Sequence, residues 1–266
     1  KYADMLRDKI IEVGPETVLA FIMEPVGGAS TGALVAPDSY YARIREICDE
    51  IGILLIYDEV MTGVGRTGKF LAAEHWNINP DIIATSKGFG AGYVPLGAMT
   101  ARQEIVDAVL DGGGFQHGYT YAGNPIACAA GLAVINEIYA QNMMENPRVV
   151  GDVLLKGLKK LQTRFPFIGD VRGKGLLTAF ELVSDLETME PLPAEAAAHS
   201  RLVDIAYELG LIIYSRRSRD GLKGDHFLVC PPMITTAEQI NDILSILDDS
   251  LKILANEMNL PIGAGK

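Results

Sequence analysis

The sequence predicts a large α/β domain with a mostly parallel sheet, followed by a smaller α+β domain. Two apolar runs, I-L-L-I-Y and I-I-A-T-S, lead into ionisable groups, Asp58-Glu59 after the first and Lys87 after the second. Such runs between glycine-rich loops are typical of strands buried on both faces of a parallel sheet. The pattern over 17–60 reads strand, helix, strand, which is a βαβ unit. Beyond 166 the helices and strands segregate, which indicates the α+β domain.

The composition bounds the class of protein. A chain of 266 residues with 48% hydrophobic and 21% charged residues can bury a large core. The net charge of −11 argues against nucleic acid as a partner, because phosphate binding needs a cationic face. We expect no membrane partner, since no apolar run reaches membrane-spanning length and the first residues do not form a signal peptide. Cys48, Cys128 and Cys230 lie far apart without metal-ligand spacing, so we expect no metal site and reduced thiols in a cytoplasmic protein.

The predicted elements of the large domain, over 1–165, have local signals. Asp38 can cap a helix that Gly52 stops, and apolar side chains recur between them at helical spacing. Gly14-Pro15 breaks the helix that precedes the first strand. The predicted strands are 17–26, 53–60, 81–86 and 96–101, and the predicted helices are 1–13, 39–51, 105–110, 126–140 and 147–165.

The small domain is predicted over 166–266, with the loop P-F-I-G at its start. Thr235 and Glu238 have the spacing of a capping box for the last helix. The predicted strands are 175–183, 211–215 and 226–230, and the predicted helices are 194–209 and 236–258.

The glycine-rich segment after the first apolar run resembles two nucleotide motifs. Gly63, Gly65 and Gly68 spell G-x-G-x-x-G, which needs a helix opening inside the motif and an acid after the next strand. The sequence N-I-N-P at 77–80 cuts any such helix short. The same segment approaches a P-loop, but Phe70 stands where a magnesium-binding hydroxyl is required. A turn-rich connector is therefore the preferred interpretation.

Asp58 and Lys87 are a pair with a specific chemical use. In open α/β sheets, ligands bind beyond the carboxyl ends of the strands, so this carboxylate and this amine reach one edge of the sheet. Pyridoxal phosphate (PLP) needs a lysine for its Schiff base and an acid that keeps its pyridine nitrogen protonated. From spacing alone, two solvated strand ends explain the pattern equally well.

Five segments of the chain resemble the class III, or omega, aminotransferases. In chain order they are E-P-V-G-G-A-S-T-G, D-E-V-M-T-G-V-G-R-T-G-K-F, S-K-G-F-G-A-G-Y-V-P-L-G-A, H-G-Y-T-Y-A-G-N-P-I-A-C-A-A and V-R-G-K-G-L-L-T-A-F-E-L. The resemblance extends through nearly the whole chain. It implies the PLP-dependent transferase fold type I, with part of a large domain and a smaller C-terminal domain.

The resemblance also implies roles for individual residues. Lys87 would form the Schiff base and move the proton between the substrate carbon and the cofactor. Asp58 would pair with the pyridine nitrogen, and Val60, two residues further along the strand, would press on the ring face. Thr120 would bind the cofactor phosphate of a neighbouring subunit, which implies a homodimer with shared active sites. Glu24 would support the cofactor environment.

The implied reaction is the transfer of an amino group from a primary amine or ω-amino acid to a keto acid such as pyruvate. A substrate carboxylate is best bound by an arginine, because the guanidinium can donate two parallel hydrogen bonds. Arg216, Arg217 and Arg219 are the candidates, but their segment is longer than the common family pattern and none aligns securely. A solvated basic loop is an equal alternative. For Arg172, in V-R-G, we expect a structural role.

Two alternatives stay open at this stage. A PLP-dependent decarboxylase, racemase or aminomutase could use the same scaffold, because the choice of reaction depends on substrate-side residues. The chain could also be an inactive fragment or a partner subunit. Family chains are longer at the N-terminus, where a Gly/Ser turn for the cofactor phosphate and a stacking aromatic residue are expected. A fragment, a sequence that lacks its first part, or a split protein would each explain the difference.

Overall fold

The structure, a computed structural model, describes residues 1–219 and 221–263. The chain forms two compact units, of which the first comprises Lys1–Pro25 and Ala36–Met143, and the second Val26–Val35 and Met144–Lys266. The boundary predicted between 165 and 166 falls after the helix Glu145–Arg164, whereas the two compact units divide before that helix, at Met143. That helix packs into the core of the second unit, and the compact units therefore divide before it.

The first unit is built on a four-stranded sheet in the order β1-β2-β3-β4. Strands β1 to β3 are parallel to one another, and β4 runs antiparallel to β3. The strands are β1 (Ala20–Met23), β2 (Leu54–Asp58), β3 (Ile82–Thr85) and β4 (Ala98–Ala101). The helices are α1 (Tyr2–Val13), α2 (Asp38–Ile51), α3 (Gln103–Asp111) and α4 (Pro125–Ala140).

Helix α2 covers one face of β2. Its apolar residues Ile44 and Ile47 are fully buried in one cluster with Leu55 and Tyr57 of the strand. The helix ends as predicted at Gly52, whose φ of 82° lies in the left-handed region that suits glycine. The predicted cap is wrong, because Asp38 is the first helical residue and makes no capping hydrogen bond. Its carboxylate instead accepts a hydrogen bond from the indole of Trp76 at 2.8 Å.

Asp81, just before β3, binds three other parts of the first unit: strand β2, helix α2 and the residue that precedes α3. Its carboxylate accepts hydrogen bonds from the backbone N–H of Leu55 at 2.6 Å and from Arg45 at 2.9 Å, and pairs with Arg102 at 2.7 Å. The side chain is only 5% exposed. Burial raises the pKa of Asp81, but the hydrogen bonds from Leu55 and Arg45 and the charges of both arginines outweigh it, so the pKa lies below its ordinary value.

The second unit contains an antiparallel sheet in the order β5-β6-β9-β8, with a short strand β7 beside β6. Its strands are β5 (Ile168–Lys174), β6 (Leu177–Asp185), β7 (Glu190–Pro191), β8 (Tyr214–Arg219) and β9 (Lys223–Val229). Its helices are α5 (Glu145–Arg164), α6 (Ala198–Glu208) and α7 (Ala237–Met258). Phe180 and Phe227, stacked at 5.0 Å between ring centroids, form the middle of the core shared with these helices.

Three details of the second unit differ from the prediction. The loop predicted over P-F-I-G, 166–169, runs into strand β5 at Ile168, and the prediction had no strand over 168–174. In the sheet its charged residues share one face, whereas Val171 points into the core. Strand β8 begins at Tyr214 rather than 211. The capping box of α7 uses Thr236 and Gln239, one residue later than the predicted pair.

The segment 26–35, which follows β1 in the chain, belongs to the second unit. Arg172 donates hydrogen bonds to the carbonyl oxygens of Gly32 at 2.7 Å and Thr31 at 2.9 Å. The same guanidinium pairs with Glu181 at 2.9 Å. The ring nitrogen Nε2 of the buried His226 lies 2.7 Å from the carbonyl oxygen of Ala29. Arg172 therefore has the structural role that the sequence predicted. Within the described residues, no helix has the length and apolar character to cross a membrane.

We expect Asp81→Asn to lower the free energy of unfolding by about 2–3 kcal/mol, because the buried charge that Arg45 and Arg102 share is removed and Arg45 keeps only an exposed carboxylate. The matched control is Asp49→Asn, which removes an exposed partner of the same Arg45, 2.7 Å away. That change should cost less than about 1 kcal/mol. Urea denaturation followed by circular dichroism measures both differences, and equal losses in the two variants would contradict the role of Asp81.

The difference in free energy of unfolding between the wild type and Asp81→Asn should also depend on pH. The folded-state pKa of Asp81 is lowered, so its contribution is present above the unfolded-state pKa of about 3.9 and is lost as the pH falls through the folded-state value. The two urea curves should therefore approach each other below about pH 4. A gap in unfolding free energy that stays constant from neutral to acid pH would show that the carboxylate charge is not involved.

Candidate active site

The carboxyl ends of three neighbouring parallel strands carry the ionisable residues predicted for the site. Glu24 follows the last residue of β1, Asp58 ends β2, and Lys87 lies two residues beyond the end of β3. Asp58 pairs in register with Ala84 of β3. The predicted delivery of a carboxylate and an amine to one edge of the sheet agrees with this topology.

Lys87 has a backbone conformation that is rare for a residue with a side chain. Its φ is 45°, in the left-handed region, and it opens a short 3₁₀ turn, Lys87–Phe89. The side chain is exposed. The hydroxyl of Ser86 donates a hydrogen bond to the carbonyl oxygen of Leu96 at 3.0 Å and fixes the start of the turn. A non-glycine residue in this region costs on the order of 1 kcal/mol, and such strain often marks a functional position.

Asp58 and Val60 lie at the beginning of the connector that follows β2. Asp58 is half-buried, and its Oδ1 accepts a hydrogen bond from the backbone N–H of Val60 at 3.0 Å. The strand ends at Asp58, so the expectation that Val60 continues it is wrong. Val60 is instead the first residue of a turn and is half-buried there.

Glu59 is a buried acid to which the sequence assigned no role. Its side chain is 0% exposed and accepts hydrogen bonds from the hydroxyl of Thr62 and from the backbone N–H groups of Ala72 at 3.0 Å and Ala73 at 2.8 Å. Burial raises the pKa of Glu59, although these hydrogen bonds oppose the rise. The only sequence signal is its position beside Asp58, since its partners lie up to 14 positions further along the chain.

The glycine-rich segment 60–71 is a connector made of turns. The chain enters a 3₁₀ helix only at Ala72–Trp76, and no α-helix opens within the G-x-G-x-x-G pattern. Its conformation agrees with the preferred interpretation of the sequence and lacks the helix N-terminus that both nucleotide motifs require.

Thr120 is exposed and lies in the loop between α3 and α4. Helix α4 has a single charged side chain, Glu137, yet only Gly131 and Ile138 are buried. Ile126, at its first turn, is 74% exposed. A helix that is apolar on all sides is usually enclosed by other protein, so this surface is unusual for an isolated unit.

The three candidate arginines lie on β8 of the second unit. Arg217 is mostly buried and donates hydrogen bonds to Asp225 at 2.9 Å and to the carbonyl oxygen of Ala194 at 2.7 Å. Arg216 is exposed, and its guanidinium lies 5.2 Å from the ring centroid of Tyr214. The side chain of Arg219 lies outside the described residues. Arg217 is thus engaged within its own unit, whereas Arg216 presents its charge at the surface.

Comparison with known proteins gives consistent matches along the chain. A family model described as Aminotransferase class-III matches residues 2–251. The taurine–pyruvate aminotransferase of Bilophila wadsworthia is 38% identical over 266 residues, which cover 98% of this chain and 58% of that protein. The leucine/methionine racemase of Thermococcus litoralis is 39% identical over 240 residues, which cover 90% of this chain and 51% of that protein. The chain thus spans about half the length of these curated relatives.

Solved structures show the same relationship. The crystal structure of an amine transaminase from an uncultivated Pseudomonas species, in its PLP-bound form, matches with a TM-score of 0.88 and 40% identity, over 95% of this chain and 56% of that one. The sheet topology and these matches define an α/β protein of the PLP-dependent transferase fold type I, and the predicted fold class is confirmed. The chain belongs to the class-III aminotransferases.

The environments of the two described arginines lead to a testable difference. Arg217→Ala should lower the free energy of unfolding by about 1.5–3 kcal/mol, because the buried Asp225 loses its charged donor. Arg216→Ala should cost less than about 1 kcal/mol, the size of an exposed cation–π contact. Urea denaturation measures both variants, and each is the control for the other. Equal losses would mean that Arg217 is no more tightly held than its neighbour.

Proposed function

We propose that the whole protein is a PLP-dependent aminotransferase that moves an amino group from a primary amine or ω-amino acid to a keto acid such as pyruvate. The observation that carries this proposal is the position of Asp58 and Lys87 at the carboxyl ends of two adjacent parallel strands. Family membership supports the type of reaction, and a relative named for pyruvate supports that acceptor.

The chemistry of these side chains fits pyridoxal phosphate. The cofactor, when bound, supplies an aldehyde and a ring that accepts electrons from the bond that breaks. Lys87 offers an exposed amine that can bond to the aldehyde and carry the proton to and from the substrate carbon. Asp58 offers a half-buried carboxylate that can hold a proton on the pyridine nitrogen. Val60 and Glu24, at the same strand ends, would contact the ring and its surroundings.

Among the candidate arginines, Arg216 is the described side chain best suited to a substrate carboxylate. It is exposed, whereas the guanidinium of Arg217 is occupied by Asp225 and Ala194. The ring of Tyr214 beside it supports the extended side chain without using its hydrogen-bond donors. Arg219 stays a candidate from the sequence alone.

A second copy of the protein is the proposed partner, and the cytoplasm the proposed location. The apolar surface of α4 and the exposed loop that contains Thr120 support a homodimer in which Thr120 binds the cofactor phosphate of the other subunit. Cys48, Cys128 and Cys230 form no disulfide in the described part of the chain, which suits a reducing compartment. Sedimentation of the whole protein should give a dimer at micromolar concentration, and a fully active monomer at every dilution would contradict a shared site.

The second candidate function is a PLP-dependent racemase or a related decarboxylase or aminomutase. The racemase of Thermococcus litoralis supports it, because its identity to this chain is as high as that of the aminotransferase relative. Incubation of the protein with an amine donor, PLP and pyruvate separates the candidates. An aminotransferase forms alanine, whereas a racemised amino acid, released carbon dioxide or an isomerised amine without alanine favours the second function.

Lys87→Ala should abolish covalent uptake of PLP. With the wild type, absorbance near the visible should appear on addition of PLP, and borohydride should fix the cofactor on the peptide that contains Lys87. Lys69→Ala, which removes another exposed lysine of the same unit, is the control and should label normally. Labelling of Lys87→Ala at wild-type yield would refute the assignment, and a wild type that never takes up PLP would favour an inactive or partner chain.

A further inference from the structure

Hydrogen bonds to Glu59 join the two ends of the connector 60–71, which links β2 to the 3₁₀ helix Ala72–Trp76. One carboxylate oxygen accepts from the hydroxyl of Thr62 and the N–H of Ala72, and the other accepts from the N–H of Ala73. Three donors from both ends of the connector therefore converge on one buried side chain. The connector contains three glycines, so its backbone needs contacts that fix its path, and the buried carboxylate supplies three of them.

The middle of this connector lies against the turn that carries Lys87. Val64 is 2% exposed and has a φ of 58°, which is unusual for a β-branched residue. Its backbone N–H donates to the carbonyl oxygen of Phe70 at 2.6 Å. A β-carbon placed on Gly88 would lie 3.2 Å from Cβ of Val64, so the two residues are in close contact. Gly88 directly follows Lys87.

The Lys87 turn is held on its other side by the chain that leads into β4. Ser86 donates its hydroxyl proton to the carbonyl oxygen of Leu96, and Phe89 donates its N–H to the carbonyl oxygen of Ser86 at 3.0 Å. The turn thus lies between Val64 and Leu96. Because Lys87 itself adopts an unfavourable φ, both supports are needed to keep this conformation populated.

We propose that Glu59 is a positioning residue for Lys87. Its carboxylate joins the two ends of the connector 60–71. The connector then holds Val64 against Gly88, and this contact keeps the Lys87 backbone in its left-handed conformation at the edge of the sheet. The inference rests on the proposed function only in giving Lys87 a chemical role. The contacts themselves lie within the first unit and are independent of any cofactor.

Glu59→Gln is the sharpest single change, because an amide cannot accept all three hydrogen bonds. If the amide NH₂ takes the place of Oε1, the N–H of Ala73 has no acceptor, and if it takes the place of Oε2, the N–H of Ala72 has none. The matched control is Glu74→Gln. Glu74 lies on the 3₁₀ helix Ala72–Trp76 and accepts a hydrogen bond from the N–H of Leu71 at 2.8 Å. Its side chain is exposed and takes no part in the three hydrogen bonds that the Glu59 carboxylate accepts.

Hydrogen exchange measured by mass spectrometry on the whole chain without cofactor tests the proposal. In Glu59→Gln the amides of 86–91 should exchange about tenfold faster than in the wild type, as expected when hydrogen bonds to a buried charged group are lost. The amides of helix α2 should change less than about twofold, which separates a local effect from general unfolding. Glu74→Gln should match the wild type in both segments. Because PLP is absent, failure of this inference and failure of the proposed function give different results.

Val64→Ala keeps the proposal testable if Glu59→Gln does not fold. It shortens the side chain that contacts Gly88 and leaves the carboxylate network intact, so exchange at 86–91 should rise about threefold. Unchanged exchange at 86–91 in either folded variant would overturn the proposal. Equal acceleration of 86–91 and of helix α2 would overturn it as well, because Glu59 would then stabilise the unit as a whole rather than the Lys87 turn.

Discussion

The register between β2 and β3 is the constraint on which the candidate site depends. Parallel pairing places Asp58 opposite Ala84 and brings the ends of both strands to one edge. A slip of one residue would turn every side chain of a strand to the opposite face of the sheet. The carboxylate of Asp81 opposes such a slip at the other end of the strands, because it binds the backbone of Leu55 directly. One buried ionic group thus fixes the geometry of an edge that lies a strand's length away.

Backbone strain at this edge is balanced in part by hydrogen bonds to a buried carboxylate. Lys87 and Val64 both have left-handed backbones, each of which costs on the order of 1 kcal/mol or more. Hydrogen bonds to a buried charged acceptor contribute about 1.5–3 kcal/mol each, which is sufficient to offset that cost. The carboxylate of Glu59 accepts three of them. Burial raises the pKa of Glu59, and the hydrogen bonds from Thr62, Ala73 and Ala72 oppose that rise.

The features that the sequence predicted correctly are those determined by local pattern. Apolar runs that end in Asp58 and near Lys87 specify strands, and the order strand, helix, strand specifies parallel pairing. Contacts across long stretches of chain leave no such pattern. Arg172 donates a hydrogen bond to Gly32, which lies 140 positions earlier in the chain. No local signal could therefore assign segment 26–35 to the second unit. The role of Glu59 was missed for the same reason, because its acceptor function appears only when the connector has folded back.

The difference between the β2–β3 edge and strand β8 bears on how this chain can be similar to both an aminotransferase and a racemase. The residues proposed to hold and activate the cofactor lie where register, strain and buried charge all restrict the backbone. The turn that carries Lys87 is held by the hydrogen bond from Ser86 to Leu96 and by the contact of Val64 with Gly88. Arg216, by contrast, lies on the exposed side of its strand, and its removal leaves the buried pair of Arg217 and Asp225 intact. Arg216 can therefore be replaced without disturbing a buried contact, whereas the positions of Asp58 and Lys87 depend on the backbone of the strand ends that carry them.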